Sequence, residues 1–272
     1  MYWVQCIKWY CFYKEQKESL QKFNYIKEDK WFKNTKILLI VPHADDELLS
    51  SYTLLRYASN VMVYYCGFTG IAPSESNRVR RRKEIENLCD KLSVPIIHGN
   101  GDCTNFESTI INGEYDILVI PLIVDWHPEH RKISYMLSDV LVHNNISPKI
   151  YCYSVTVPNE SEGIINVIEL TQEEQSRKYA LFQEVYISQR FMPLYRFKIN
   201  ERIYGLQAGI YAAETFQPYS LNKWLEQISI VKKAEDNGDE KVVQMISSLK
   251  KNLSDMKITR KLSKEFYLSL NK

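Results

Sequence analysis

The chain should fold as a three-layer, Rossmann-like α/β sandwich built on a mostly parallel sheet, and two observations predict it. Continuous apolar runs recur at residues 37–41, 61–65, 94–98, 117–120 and 150–157. Strands buried on both faces read as unbroken Val/Ile/Leu stretches rather than as alternating ones. The segments between these runs carry helical periodicity. Strands alternating with helices place a parallel sheet between two helical layers. At 272 residues, the chain can form one large domain with appendages.

The elements follow in order. Residues 1–35 form an aromatic N-terminal helical extension holding Tyr2, Trp3, Trp9, Tyr10, Phe12 and Tyr13, with Lys8 and Lys14 among them. Such a segment reads either as a helix docked on the core or on a second subunit, or as an interfacial helix resting on a membrane surface. Residues 36–219 hold the α/β core. Within it, Ile85, Leu88, Cys89 and Leu92 repeat at helical spacing across 74–92, with Ser74 as N-cap. Ile133, Met136, Leu137, Val140 and Leu141 repeat that spacing after His130. Thr171-Gln-Glu-Glu174 is a capping box opening a helix that should run to about Arg190. Residues 191–219 are mixed and aromatic. Residues 220–272 read as a C-terminal helical hairpin broken at "EDNGDE" (235–240).

Composition narrows the function classes. Hydrophobic residues at 45% and charged ones at 25% are ordinary for a soluble domain, and a net charge of +2 gives no reason to expect nucleic acid. The six cysteines form no CxxC pair, and several fall inside apolar patterns, which suggests a reducing, cytoplasmic setting. No run of about eighteen apolar residues spans a membrane, and the N-terminus does not read as a signal peptide. No GxGxxG follows the first strand, which argues against a dinucleotide.

Two polar clusters stand at strand ends. "ILLIVPHADDELLSS" (37–51) runs from an apolar strand directly into His43, Asp45, Asp46 and Glu47. "ILVIPLIVDWHPEHR" (117–131) delivers Asp125, His127, Glu129, His130 and Arg131. In open α/β sheets both clusters reach the same edge, the carboxyl ends of the strands, where ligands bind. Two imidazoles and a carboxylate form a three-ligand site with open positions, the pattern of catalytic zinc. His43, Asp46 and His130 are the candidate ligands. Asp45 then stands free as base for an activated water. Glu47 and Asp125 are placed to orient imidazole N–H groups from behind. The same ligand set describes a non-haem iron oxygenase, but no long series of alternating strands suggests a β-barrel. Of the other histidines, His98 ends a strand and could line the pocket, and His143 lies near a helix end.

"PHADDE" followed by "HPEHR" resembles the PIG-L/LmbE-like family of metal-dependent N-deacetylases, whose members carry [AP]-H-P-D-D-E and a later H-P-D-H-R. Further pieces agree in order across roughly 36–219: "FTG" (68–70), "RRKE" (81–84 being R-x-x-E), "KLSV", "KYALFQEVYISQ" (178–189) and "AAETF" (212–216). The resemblance implies a zinc-dependent enzyme that releases acetate from an N-acetylated amino sugar or N-acetylglucosaminyl conjugate, free or lipid-linked. Another divalent metal such as Fe2+ would fill the same ligand set. The resemblance implies His43, Asp46 and His130 as ligands and Asp45 as general base. It also implies His127 as the group polarising the acetyl carbonyl, and Arg81 as a holder of substrate hydroxyls, with Arg78, Arg80 and Arg82 competing for that register. Two positions depart from the family pattern. Ala44 replaces proline, and Glu129 replaces aspartate, so any contact of Glu129 to His127 or to substrate reaches one methylene further. A second reading, from another class, is a non-catalytic metal- or sugar-binding relic of the fold. A third is an amidase acting on a non-acetyl amide conjugate.

Overall fold

Alternate residues of a strand face opposite sides of its sheet, so a run that is apolar throughout must be covered twice. A computed structural model describes residues 2–18, 25–26, 31–70, 74–125, 127–155, 157–159 and 165–238, with 257–258, 261–262 and 265. Helix α1 (Tyr2–Glu18) and the short strand β1 (Tyr25–Ile26) come first. The core then runs β2 (Ile37–Val41), α2 (Asp46–Tyr57), β3 (Val61–Tyr65), α3 (Glu75–Leu92), β4 (Ile96–His98) and α4 (Phe106–Gly113). It continues through β5 (Ile117–Pro121), α5 (Pro128–His143), β6 (Lys149–Tyr153), β7 (Ile165–Leu170) and α6 (Gln172–Val185), with a 3-10 turn at Ile187–Gln189. Helix α7 (Tyr195–Ala208), strand β8 (Ala212–Tyr219) and helix α8 (Leu221–Asn237) complete it.

The strands form one eight-stranded sheet in the order β1-β7-β8-β6-β5-β2-β3-β4. β8 runs antiparallel to β6 and β7, and the other pairings are parallel. Ile37, Leu39 and Val41 of β2 pack in one core with α2, α3 and α6, while Leu38 and Ile40 pack in a second with α4, α5 and α8. These are the three layers expected from the apolar runs. Local signals hold where they were read. Ser74 Oγ accepts the Asn77 N–H at 3.2 Å, and Thr171 and Glu174 close a reciprocal capping box.

Several boundaries shift. Strand β4 starts at Ile96 and β6 ends at Tyr153, both shorter than their apolar runs. Helix α6 ends at Val185 rather than near Arg190, because the chain turns through the 3-10 segment there. The stretch read as mixed, 191–219, holds α7 and β8. The described part of the N-terminal extension packs on the core. Trp9 and Phe12 of α1 are buried against Ile203 of α7, β1 joins the sheet beside β7, and Trp31 stacks on Tyr151 at 4.2 Å. Trp3, Val4, Ile7 and Tyr10 of α1 remain exposed. No helix among the described residues is long and apolar enough to cross a membrane. Gly238, in the left-handed conformation with φ 65°, ends α8 within the "EDNGDE" stretch. The second arm of the expected hairpin lies outside the described residues, apart from the few positions at 257–265.

Helix α2 is broken at Ser51 (φ −137°, ψ 24°), and buried ions close the gap. Glu214 of β8 accepts the freed N–H groups of Tyr52 (3.1 Å) and Thr53 (2.9 Å). Lys178 of α6, fully buried, donates to the Leu49 carbonyl at 2.8 Å and to Glu214 and Glu201 at 2.5 Å each. Burial works against the Lys178 charge, but the Glu201 and Glu214 carboxylates outweigh it and hold its pKa above the ordinary lysine value. Lys178→Met should therefore destabilise the protein by about 3–5 kcal/mol, since it leaves buried carboxylates uncompensated. Urea unfolding measures this; a loss under about 1 kcal/mol would show that the pair is not what closes the break.

Candidate metal centre

β2 and β5 are neighbours, with Leu39 opposite Val119. From β2 the chain goes to β3 and β4 on one side of the sheet, and from β5 it goes to β6 on the other. That reversal opens a crevice at the carboxyl ends of the two strands. Both polar clusters converge there. After β2, Asp45 stands at the N-cap of α2 with φ 133°, a conformation L side chains rarely adopt and which costs about 1–3 kcal/mol. After β5, Pro128 occupies the first turn of α5, where its missing N–H loses nothing. His127 caps the same helix, its Nδ1 accepting the Glu129 N–H at 3.2 Å.

His43 Nδ1, His130 Nε2 and Asp46 Oδ2 form a triangle with sides of 3.0, 3.2 and 3.3 Å. His43 Nε2 lies 2.5 Å from Glu129 Oε2, and His130 Nδ1 lies 3.0 Å from Asp125 Oδ2, so each imidazole has a carboxylate beside its outer nitrogen. The inner nitrogens face each other and a carboxylate oxygen. Asp46 is held well below the usual carboxylate range: burial opposes its charge, but His130 and His43 outweigh burial. Burial likewise disfavours charge on His43 and His130, yet the surrounding carboxylates raise the pKa of both. Three electron-pair donors at this spacing, in a field that favours positive charge, fit a small cation. Tetrahedral ligands about 2.0–2.1 Å from zinc lie roughly 3.3 Å apart.

His127 also stands within 4.8 Å of His43 and His130, so the three histidines form an alternative set. The Asp46 set is tighter, and His127 is hydrogen-bonded for another task. Burial and the neighbouring imidazoles pull its pKa down to about 4, so the ring is neutral. With Nδ1 accepting from Glu129 N, the proton sits on Nε2, which makes that atom a donor rather than a ligand.

Around this centre lies a cavity of about 350 Å³, lined among others by Asp45, Thr69, Arg81, His127, Gln189 and Phe197. Asp45 is buried and paired with Arg81 Nη2 at 3.1 Å. Burial raises the Asp45 pKa above the usual carboxylate value, and Arg81 draws it back. Arg81 also reaches Ser188 Oγ at 3.4 Å, so its guanidinium bridges Asp45 and Ser188 at the cavity wall. Two further expectations are corrected. Glu47 touches no imidazole: it accepts from the Asp45 N–H at 3.1 Å and from the Tyr186 hydroxyl, and burial pushes its pKa up to about 8. Glu129, expected beside His127, bonds His43 instead and also accepts the Gly70 N–H at 3.1 Å; its Oε2 is 3.9 Å from His127 Nδ1. Its extra methylene carries the carboxylate across to the other strand end. Asp125 does lie beside an imidazole, that of His130. His98 pairs with Glu86 at 3.1 Å and does not line the cavity. His143 Nδ1 lies 2.7 Å from the Asp139 carbonyl at the surface. Tyr186 and Ser188 are additions that strand-end reasoning missed; only the "YISQ" resemblance signalled them.

No protein-family model and no curated protein matches the chain. Solved structures do. A triple mutant of the deacetylase Orf2, from the teicoplanin biosynthetic pathway, aligns at TM-score 0.53 and 21% identity, covering 68% of this chain and 98% of Orf2. The N,N'-diacetylchitobiose deacetylase of Pyrococcus horikoshii aligns at 0.52 and 19%, covering 70% and 85%. The chain has the fold of the LmbE-like deacetylases. The same fold also carries other chemistry: GalB, the 4-carboxy-2-hydroxymuconate hydratase of Pseudomonas putida, aligns at 0.56 and 14%, covering 68% and 96%.

The two ligand sets separate by metal analysis. Zinc titration followed by calorimetry should give equimolar binding in the wild type and in His127→Ala, and loss of binding in His130→Ala and Asp46→Ala. Glu129→Gln, which weakens the hold on His43, should lower affinity by about 10–100-fold. Retention of zinc by Asp46→Ala with loss in His127→Ala would select the three-histidine set.

Proposed function

We propose that the chain is a metal-dependent N-deacetylase of the PIG-L/LmbE-like family, hydrolysing the acetamide of an N-acetylated amino sugar or N-acetylglucosaminyl conjugate and releasing acetate. The observation that carries this reading is the convergence of His43 Nδ1, Asp46 Oδ2 and His130 Nε2 within 3.3 Å of one another, beside the buried carboxylate of Asp45 and the imidazole of His127. The motif resemblance and the fold shared with two deacetylases support it.

A divalent ion such as zinc, held by those three residues, would polarise the amide carbonyl and lower the pKa of water toward 7. The chain's own groups do the rest. Asp45 accepts the proton released as water attacks the acetyl carbon, and returns it to the sugar nitrogen as the C–N bond breaks. The products are acetate and a free amine. Arg81 holds the Asp45 carboxylate in its strained position at the cavity wall. The Nε2–H of His127 donates to the carbonyl oxygen as charge develops there, an interaction stronger in the transition state than in the ground state. Asp125 and Glu129 stand beside the outer nitrogens of the two ligand imidazoles, the place from which carboxylates orient metal-binding histidines.

Acetate release from a panel of N-acetyl sugars tests the reading. Asp45→Ala should lower kcat by about 10²–10⁴-fold with zinc retained, and His127→Ala by about 10²–10³-fold. Chelation should abolish turnover and zinc should restore it. Wild-type turnover in Asp45→Ala would remove Asp45 from the base role. Metal binding without acetate release from any substrate would favour a binding protein of the same fold.

A further inference from the structure

Arg131 follows the ligand His130 on α5 but does not line the cavity. It is only 8% exposed, and a buried guanidinium is costly unless it is paired. The pairing comes from α8, 104 positions along the chain: Nε and Nη2 both donate to Glu235 Oε1, at 2.9 and 2.6 Å. The Tyr135 hydroxyl, one turn further along α5, donates to Glu235 Oε2. Burial and the Glu235 charge push the Tyr135 phenol above its usual range, so it keeps the proton it donates. One carboxylate of α8 therefore clasps two successive turns of the helix that carries His130.

The remaining edge of the guanidinium reaches the support of the metal centre. Arg131 Nη1 donates to the Asp125 carbonyl at 2.9 Å. From that anchored backbone the Asp125 carboxylate faces two ways: Oδ1 accepts the His127 N–H at 2.8 Å, and Oδ2 lies 3.0 Å from His130 Nδ1. Holding the Asp125 carbonyl thus holds a carboxylate beside a ligand imidazole, the kind of outer contact on which metal affinity depends. Without the Glu235 charge, Arg131 would be buried with too little compensation, and turning out to water would cost it the Asp125 contact. The body of α8 is docked by other means, since Trp224, Ile228 and Val231 are buried in the core. Docking of the helix and the clasp at its end can therefore be perturbed separately.

We propose that Glu235 is a positioning residue for the metal centre, acting through Arg131 and Asp125 on His130. The proposal rests on the metal-dependent reading of the same site. Zinc titration of the full chain by calorimetry tests it. Glu235→Gln, which keeps the shape and removes the charge, should weaken zinc binding about tenfold. Glu235→Asp, which restores the charge one methylene short, should weaken it less. In an Arg131→Gln background, Glu235→Gln should cause no further loss, because the two residues act along one line. Ile228→Ala thins the packing of α8 and destabilises the protein, yet should leave zinc affinity in place.

Wild-type zinc affinity in Glu235→Gln would overturn the proposal while leaving the metal centre intact. An equal loss in Ile228→Ala would also overturn it, by making the effect one of helix docking. Further loss in the Arg131→Gln background would overturn the route through Arg131. Should the wild type bind no zinc, the metal-dependent reading fails separately, and hydrogen exchange in the metal-free chain decides the present one. The His127 amide, held by Asp125 Oδ1, should then exchange several-fold faster in Glu235→Gln than in the wild type; an unchanged rate overturns it.

Discussion

Three consecutive carboxyl groups, those of Asp45, Asp46 and Glu47, are 5%, 3% and 0% exposed. Burying an unpaired carboxylate is costly, and the surrounding architecture follows from the ways in which these three are compensated. Asp45 takes a guanidinium from α3. Asp46 takes two imidazoles and the His43 N–H at 2.9 Å. Glu47 takes no cation. The Tyr186 hydroxyl and a backbone N–H meet its oxygens, and its pKa near 8 leaves it protonated at neutral pH. One short stretch of chain therefore needs α3, α5 and the end of α6 in fixed positions. Adjacent acids in unlike surroundings end with unlike charges, and this divides a charged proton acceptor from a charged ligand and a neutral prop.

The first turn of α2 would transmit any movement of the helix to the site, and the break at Ser51 isolates it. Glu214 takes over the N–H groups that the break frees, and Lys178 takes the Leu49 carbonyl. The first turn is thus tied to β8, α6 and α7 rather than to the remainder of its own helix. Gln175 and Tyr179 donate to Glu201 at 2.7 and 2.8 Å, which fixes the far side of the lysine. The late part of the chain, 165–219, contributes few groups to the cavity and much of its rigidity. In a parallel sheet whose strand ends carry the chemistry, the one antiparallel strand, β8, acts with β7 as the brace.

Legibility in the sequence follows the range of the interaction. The apolar runs, the Ser74 cap and the Thr171 box are local and were readable. His43, Asp46 and His130 were readable although distant in sequence, because parallel strands bring their carboxyl ends to one edge whatever the loops do. The support for each ligand was not readable. Asp125 could be matched to an imidazole from its place five residues before His130, where the chain enters α5. Glu129 reaches His43 across 86 positions, a contact that depends on how α5 leans over β2, and the nearer Glu47 was the reasonable and wrong choice. Arg81 and Arg80 are neighbours in sequence, and only their side-chain partners tell them apart. The brace was hidden for a further reason: Lys178, Glu201 and Glu214 look like surface charges in composition, and their burial exists only because they meet.

A fold shared by deacetylases and a hydratase does not choose its chemistry, so the choice must lie in side chains. Here the fold accounts for the crevice and for two strand ends facing each other across it. The charge pattern accounts for the rest. Two imidazole nitrogens and a carboxylate oxygen crowded within 3.3 Å of one another suit a cation. A neutral His127 with its proton on Nε2 offers a donor where negative charge would grow. A carboxylate held by Arg81 against backbone strain stands where a proton must be taken up and given back. Each of these groups is placed by a neighbour rather than by the residue itself: Asp125 and Glu129 beside the ligand imidazoles, the Glu129 N–H on His127, and Arg81 on Asp45. Replacing a neighbour while keeping the motif would leave the same letters with different protons, and the chemistry would follow the protons.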